Sequence, residues 1–116
     1  MNINDFEQEV HRLSELIDQG IRELVRQARE HAFAEADYRK AYAMAFLGAA
    51  AKTVRERELM ADAQTDEDRR KAYLSRGMEN AAKEAVRARR AQLSAFQSLM
   101  NAHRAEAEFV RTSPNG

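Results

Sequence analysis

Apolar residues recur along the first part of the chain at steps of three and four: Phe6, Val10, Leu13, Ile17, Ile21, Leu24, Ala28 and Ala32. That spacing puts them on one face of an α-helix. Asn4 or Asp5 can cap its start, with carboxylates in the first turn where the helix dipole favours them. Gly20 lies inside the stripe, either as a tolerated mid-helix glycine or as a point of close packing. The stripe loses phase at Ala34–Asp37, and a new one runs through Tyr38, Tyr42, Ala45, Phe46, Ala49 and Thr53 or Val54. Asp37 is a candidate cap for a second helix. With no Gly or Pro nearby, a kink inside one long helix fits equally well. Gly48 and the alanines after it form a smooth surface that another helix can approach closely.

The segment Asp62–Asp68 reads as the one clear turn, and Thr65 with Asp68 resembles a capping box with Asp in place of Glu. A third helix follows. Val86, Leu93, Met100 and Ala107 stand seven apart on it, and Phe96, His103 and Val110 share the same face. This is an a/d pattern interrupted by Arg89. The pattern predicts helices over about residues 4–35, 38–62 and 66–111, a single helical domain over 1–111, and a disordered tail over 112–116. The expected fold is all-α: a long-helix hairpin or an elongated three-helix bundle with coiled-coil-like seams.

Composition sharpens that expectation. Ala, Glu, Lys, Leu and Arg make up just over half of the 116 residues, and there are only four Gly and one Pro. Such a bias belongs to long helices. Leu, Ile, Val and Phe together number 21, so the seams are Ala-rich and thin. A small chain with thin seams is expected to associate with copies of itself. Leu93, Phe96, Met100 and Val110 are the candidates to meet a partner helix, from the same chain or another.

The 19 basic and 19 acidic residues cancel, yet they are segregated. If the Val86 row is called a, then Arg69, Arg76, Lys83, Arg90, Arg104 and Arg111 all fall at e. Glu9, Glu23, Glu30 and Asp37 share one heptad position on the first helix, beside the Val10, Ile17 and Leu24 row. Two readings stand side by side. The basic row can flank a helical seam and pair with the acidic row. Alternatively it forms a track for phosphates, with Arg87 and Arg89 added near its centre. Tyr38, Tyr42 and Tyr73 can stack on bases, or pack with their hydroxyls at the rim.

The chemistry of an enzyme is not visible. Without Cys there is no thiolate metal site, disulfide or Cys nucleophile. His11, His31 and His103 lack metal-ligand spacing, and His103 fits a hydrogen-bonded core or interface position. The stretch Gly48-Ala49-Ala50-Ala51-Lys52-Thr53 lacks the glycines and preceding strand of a phosphate-binding loop. No catalytic residue, metal, cofactor or small-molecule substrate is expected. The acidic opening stretch does not have the layout of a secretory signal, and no apolar run approaches the roughly 20 residues of a membrane span. A cytoplasmic protein is expected.

The stretches Tyr38-Arg39-Lys40-Ala41-Tyr42, Lys52-Thr53-Val54-Arg55-Glu56-Arg57-Glu58 and Ala88-Arg89-Arg90-Ala91-Gln92-Leu93-Ser94-Ala95-Phe96-Gln97-Ser98-Leu99 resemble small helical proteins of double-stranded-DNA bacteriophages. More remotely, over roughly residues 38–111, the layout is similar to phage recombination mediators of the UvsY type. The resemblance implies a self-associating helical protein in the host bacterial cytoplasm. It would bind single-stranded DNA and help load a recombinase, with Lys83, Arg87, Arg89 and Arg90 as DNA-contact candidates. The competing expectation is a coiled-coil interaction protein without nucleic-acid binding, such as an assembly chaperone, an adaptor or an inhibitor of a host protein.

Overall fold

A computed structural model describes residues 2–112 of the chain. It contains three helices, α1 (Ile3–Gly48), α2 (Val54–Gln64) and α3 (Asp66–Thr112), and no strand among the described residues. The all-α, long-helix class expected from the pattern is what forms. The tail expected over 112–116 lies outside the described residues except for Thr112, which is the last residue of α3.

The helix boundaries differ from the sequence expectation in two places. First, α1 runs unbroken through Ala34–Asp37, and the chain leaves it only at Gly48. Burial explains why. One line of shielded positions on α1 runs through Ile3, Phe6, Val10, Leu13, Ile17, Gly20, Leu24, Gln27, His31, Ala34, Tyr38, Ala41 and Ala45 at strictly alternating steps of three and four, with further half-buried residues such as Glu9, Leu16 and Ala28 at its flanks. The face never loses phase. It passes through Gly20, Gln27 and His31, whereas the apolar neighbours Ile21 and Ala32 stay exposed. Following hydrophobicity alone drifts off this face and produces an apparent break.

Second, the region Asp62–Asp66 is not an open turn. Asp62, Ala63 and Gln64 belong to α2, Asp66 opens α3, and only Thr65 is non-helical. Thr65 adopts φ −109° and ψ 16°, and its N–H still donates to the Ala61 carbonyl at 3.0 Å. Its hydroxyl donates to that same carbonyl at 2.7 Å, and the expected capping box with Asp68 does not form. The true caps lie elsewhere. Asn2 and Asp5 exchange side-chain and backbone hydrogen bonds of 2.9 and 3.1 Å at the start of α1, so Asn2 is the cap rather than Asn4 or Asp5. At α2, the Thr53 hydroxyl accepts from the Glu56 N–H at 3.1 Å, and the Glu56 carboxylate accepts from the Lys52 N–H at 3.3 Å. These reciprocal bonds satisfy N–H groups that a helix start otherwise leaves unpaired.

The chain forms two compact units. One joins the chain up to Arg22 with the chain from Lys83 onward, and the other is Glu23–Ala82. In the first, α1 and α3 run antiparallel: the Phe6 ring meets Phe96 and His103, while Gly20 lies opposite Val86. Phe6, Leu13, Ile17 and Val86 are its buried apolar residues.

In the second unit the facing positions that α3 contributes are small or polar. They are Asp68, Ala72, Ser75, Glu79 and Ala82, which continue the same three–four spacing. His31 Nδ1 lies 2.7 Å from a Glu79 carboxylate oxygen. Gln27 is 3 % exposed; its amide N–H donates to Glu23, and its Oε1 has no protein partner. Ala49, Ala61 and Thr65 are buried where α1, α2 and α3 converge, and Arg57 donates to the Phe46 carbonyl there.

Candidate nucleic-acid interface

Four basic residues nominated from the sequence lie in the first unit, on α3. Lys83, Arg87 and Arg90 are separated by four and three residues, so they share one helix face, and all three are exposed. Arg89 departs from them. It occupies a seam position between Val86 and Leu93, is half-buried, and donates to the Gln92 side chain at 3.1 Å. The structure therefore brings three of the four candidates together and turns the fourth towards the seam.

Electrostatic partners bear on the two readings of the charge rows. Arg87 pairs with Glu84 on its own helix at 2.8 Å. Arg90 makes no ion pair among the described residues. Arg104 crosses to α1 but meets Glu7 at 3.5 Å, not a member of the acidic row. Arg111 binds Glu108 one turn back.

Glu9, Glu23 and Glu30 of the acidic row are engaged by arginines of their own helix. Arg12 engages both carboxylate oxygens of Glu9. Arg26 engages both oxygens of Glu23, at 2.6 and 3.0 Å, and reaches Glu30 at 2.7 Å. Hydrogen bonds from Arg26 and then Gln27 hold the Glu23 carboxyl down at about 2. A hydrogen bond from Arg12 likewise lowers the Glu9 carboxyl below its ordinary value.

The geometry has a simple cause. In an antiparallel helix pair, e positions of one helix lie beside e positions of the other, as Glu7 and Arg104 do. Within the first unit, Glu9, one residue before the Val10 row and so at g when that row is a, then lies on the opposite side of the pair from the basic e row of α3. The two rows were legible in the sequence, but which of them adjoin depends on helix direction.

Of the seam candidates, Leu93, Phe96 and Met100 are half-buried, with Phe96 edge-on to Phe6 at a centroid distance of 6.5 Å. Val110 is 60 % exposed, and every residue from Asn101 to Thr112 is exposed. The three tyrosines belong to the second unit and divide there. Tyr38, Tyr42 and Phe46 form a ladder of ring contacts at 6.3 and 6.4 Å, all half-buried. Burial raises the Tyr42 hydroxyl pKa, helped by Asp62 and Glu58. Tyr73 stands alone and exposed.

What sequence reasoning passed over was the polar stretch of the seam, Gln27, His31 and Glu79. Counting three and four through polar residues as well as apolar ones would have found it. Among the described residues, no group of three or more His, Asp or Glu is placed to hold a metal ion, and no helix is long and apolar enough to cross a membrane. No protein family, curated protein or solved structure matches the chain, so the reading of function rests on its own residues.

Proposed function

We propose that this chain is a non-enzymatic single-stranded-DNA-binding protein of the phage recombination-mediator kind, which assists the loading of a recombinase in the bacterial cytoplasm. One observation carries the reading: Lys83, Arg87 and Arg90 share an exposed face of α3, and Arg90 there makes no ion pair among the described residues. Guanidinium and ammonium groups on an open helix face suit a flexible phosphate backbone. Phe109 and Val110, bare on the last turns of α3, support self-association of the coiled-coil type with a second copy.

The test is binding of single-stranded oligonucleotides as a function of salt. Each neutralised phosphate contributes about −0.7 to the log–log slope on a single strand, so three contacts give a slope near −2. Joint replacement Arg87→Glu and Arg90→Glu is expected to abolish binding with helix content unchanged. Wild-type protein that binds no oligonucleotide at low salt would refute the reading.

A second reading, a helical interaction protein without nucleic-acid binding, is favoured by Met44 and Leu47, which are 65 % and 76 % exposed near the end of α1. Capture of a protein partner that is lost on Leu47→Asp, with no DNA shift, would establish it.

A further inference from the structure

The sequence nominates three tyrosines for base stacking, and the second unit sorts them. Tyr38 and Tyr42 spend their ring faces on each other and on Phe46. Tyr73 is 78 % exposed and has no ring partner among the described residues. Its surroundings on α3 have a definite chemistry. Helical side chains lean towards the N-terminus, so Tyr73 leans over Arg69 and Arg70. A side chain at position 77, one turn on, would lean over Tyr73 in the same way. That position is Gly77, where an added Cβ would meet nothing within 4 Å. No packing contact requires this glycine, and a glycine in a helix interior is unfavourable. Its effect is to leave the ring uncovered.

Open hollows flank the ring. One, of about 410 Å³, is lined by Arg69, Arg70, Tyr73 and Leu74. The other, of about 380 Å³, is lined by Tyr73, Arg76, Gly77 and Asn80. Asp66 pairs with Arg69 at 2.5 Å and with Arg70 at 3.1 Å, so both arginines of the first hollow are also held by a carboxylate one turn back. Arg76, on the other side, has no ion pair among the described residues. An uncovered aromatic face, cations before and after it, and the Asn80 amide at the edge are complementary to a nucleobase and its two flanking phosphates.

We infer that Tyr73 is a base-stacking platform for single-stranded nucleic acid, with the base seated over Gly77 and the adjoining phosphates held by Arg69 and Arg76. This rests on the DNA-binding reading above and adds to it a second, base-dependent contact, which the phosphate track on the first unit does not supply. The platform tolerates any base, because stacking uses the π face that all bases share.

The chain has no Trp, so Tyr73→Trp gives a single emission reporter at the site. The probes are an oligothymidine and an abasic oligonucleotide of equal length, which carry the same phosphates. Oligothymidine is expected to quench the Trp emission, and the abasic strand to leave it unchanged. Tyr73→Ala is expected to weaken oligothymidine binding by roughly 5- to 150-fold, the range for loss of one stacked base, with the salt slope preserved. Gly77→Leu, which covers the ring and keeps every basic side chain, is expected to weaken it in the same base-dependent way. Equal binding of the two probes, or Tyr73→Ala and Gly77→Leu proteins that bind oligothymidine as the wild type does, would overturn the platform and leave the phosphate track standing. Absence of binding to either probe by the wild type would overturn both.

Discussion

Gly20 and Val86 allow the packing of α1 on α3 to be tested at one point. A Cβ built on Gly20 would lie 3.1 Å from Cγ2 of Val86, closer than ordinary van der Waals contact. Val86 is 6 % exposed, and its branched side chain has little rotamer freedom in a helix, so it cannot swing aside. Gly20→Ala therefore sets two effects against each other. Removing a mid-helix glycine stabilises by about 0.5–1 kcal/mol. Forcing an extra methyl into a packed seam costs about 1–3 kcal/mol. The expected net result is a loss of about 1 kcal/mol.

In a Val86→Ala background the obstructing methyl is gone, and the same change is expected to stabilise by about 0.5–1 kcal/mol. The sign of the effect thus reverses, and the double-mutant cycle should show a coupling of at least about 1 kcal/mol. Urea unfolding followed by helical circular dichroism measures all four proteins. Ile21→Ala, one position along and exposed, is the control and should stay within about 0.5 kcal/mol. If Gly20→Ala stabilises equally in both backgrounds, Gly20 does not face Val86 and the seam has been assigned to the wrong residues.

Gly77 gives the opposite case: with nothing within reach of an added Cβ, Gly77→Ala should raise stability by about 0.5–1 kcal/mol in the same unfolding assay. Thr53→Ala removes the hydroxyl that accepts from Glu56 N–H and should cost about 1 kcal/mol, with the loss of helix signal concentrated in α2. Glu23 has its carboxyl held at about 2 by Arg26 and Gln27. Because the folded value lies below the unfolded one, its contribution is present above the ordinary carboxylate range and is lost as pH falls towards 2. Carboxyl titration by NMR should place Glu23 well below the ordinary glutamate range, and Glu23→Gln should flatten that part of the acid limb of the stability curve.

Several features of this chain follow from local chemistry and were legible without a structure. Helix formation is one, because Ala, Glu, Arg and Leu fill nearly every position and Gly and Pro are scarce. The heptad row of Val86, Leu93 and Met100 is another, and burial on α3 follows it. The basic and acidic rows could also be listed correctly from spacing alone. Cap positions carried a readable signal too, since Thr53 and Glu56 have the spacing of a capping box, although Thr65 and Asp68 carried a similar one.

The tertiary structure decided where each helix actually stops and which rows adjoin. Thr65 spends its hydroxyl on the Ala61 carbonyl behind it, so the similar signal there does not make a cap. On α1, the seam continues through Gly20, Gln27 and His31 because a face once packed against another helix must keep its period, whatever residues fall on it. Glu79 on α3 then supplies the partner that makes His31 tolerable in such a position. Sequence spacing reports the face a residue occupies on its own helix. Whether Glu9 and Glu23 meet the basic row depends on the direction in which α3 returns, and the antiparallel course seen in each unit leaves them to Arg12 and Arg26. The difference between exposed Tyr73 and half-buried Tyr42 is likewise a property of what α1 and α2 cover, which no single helix encodes.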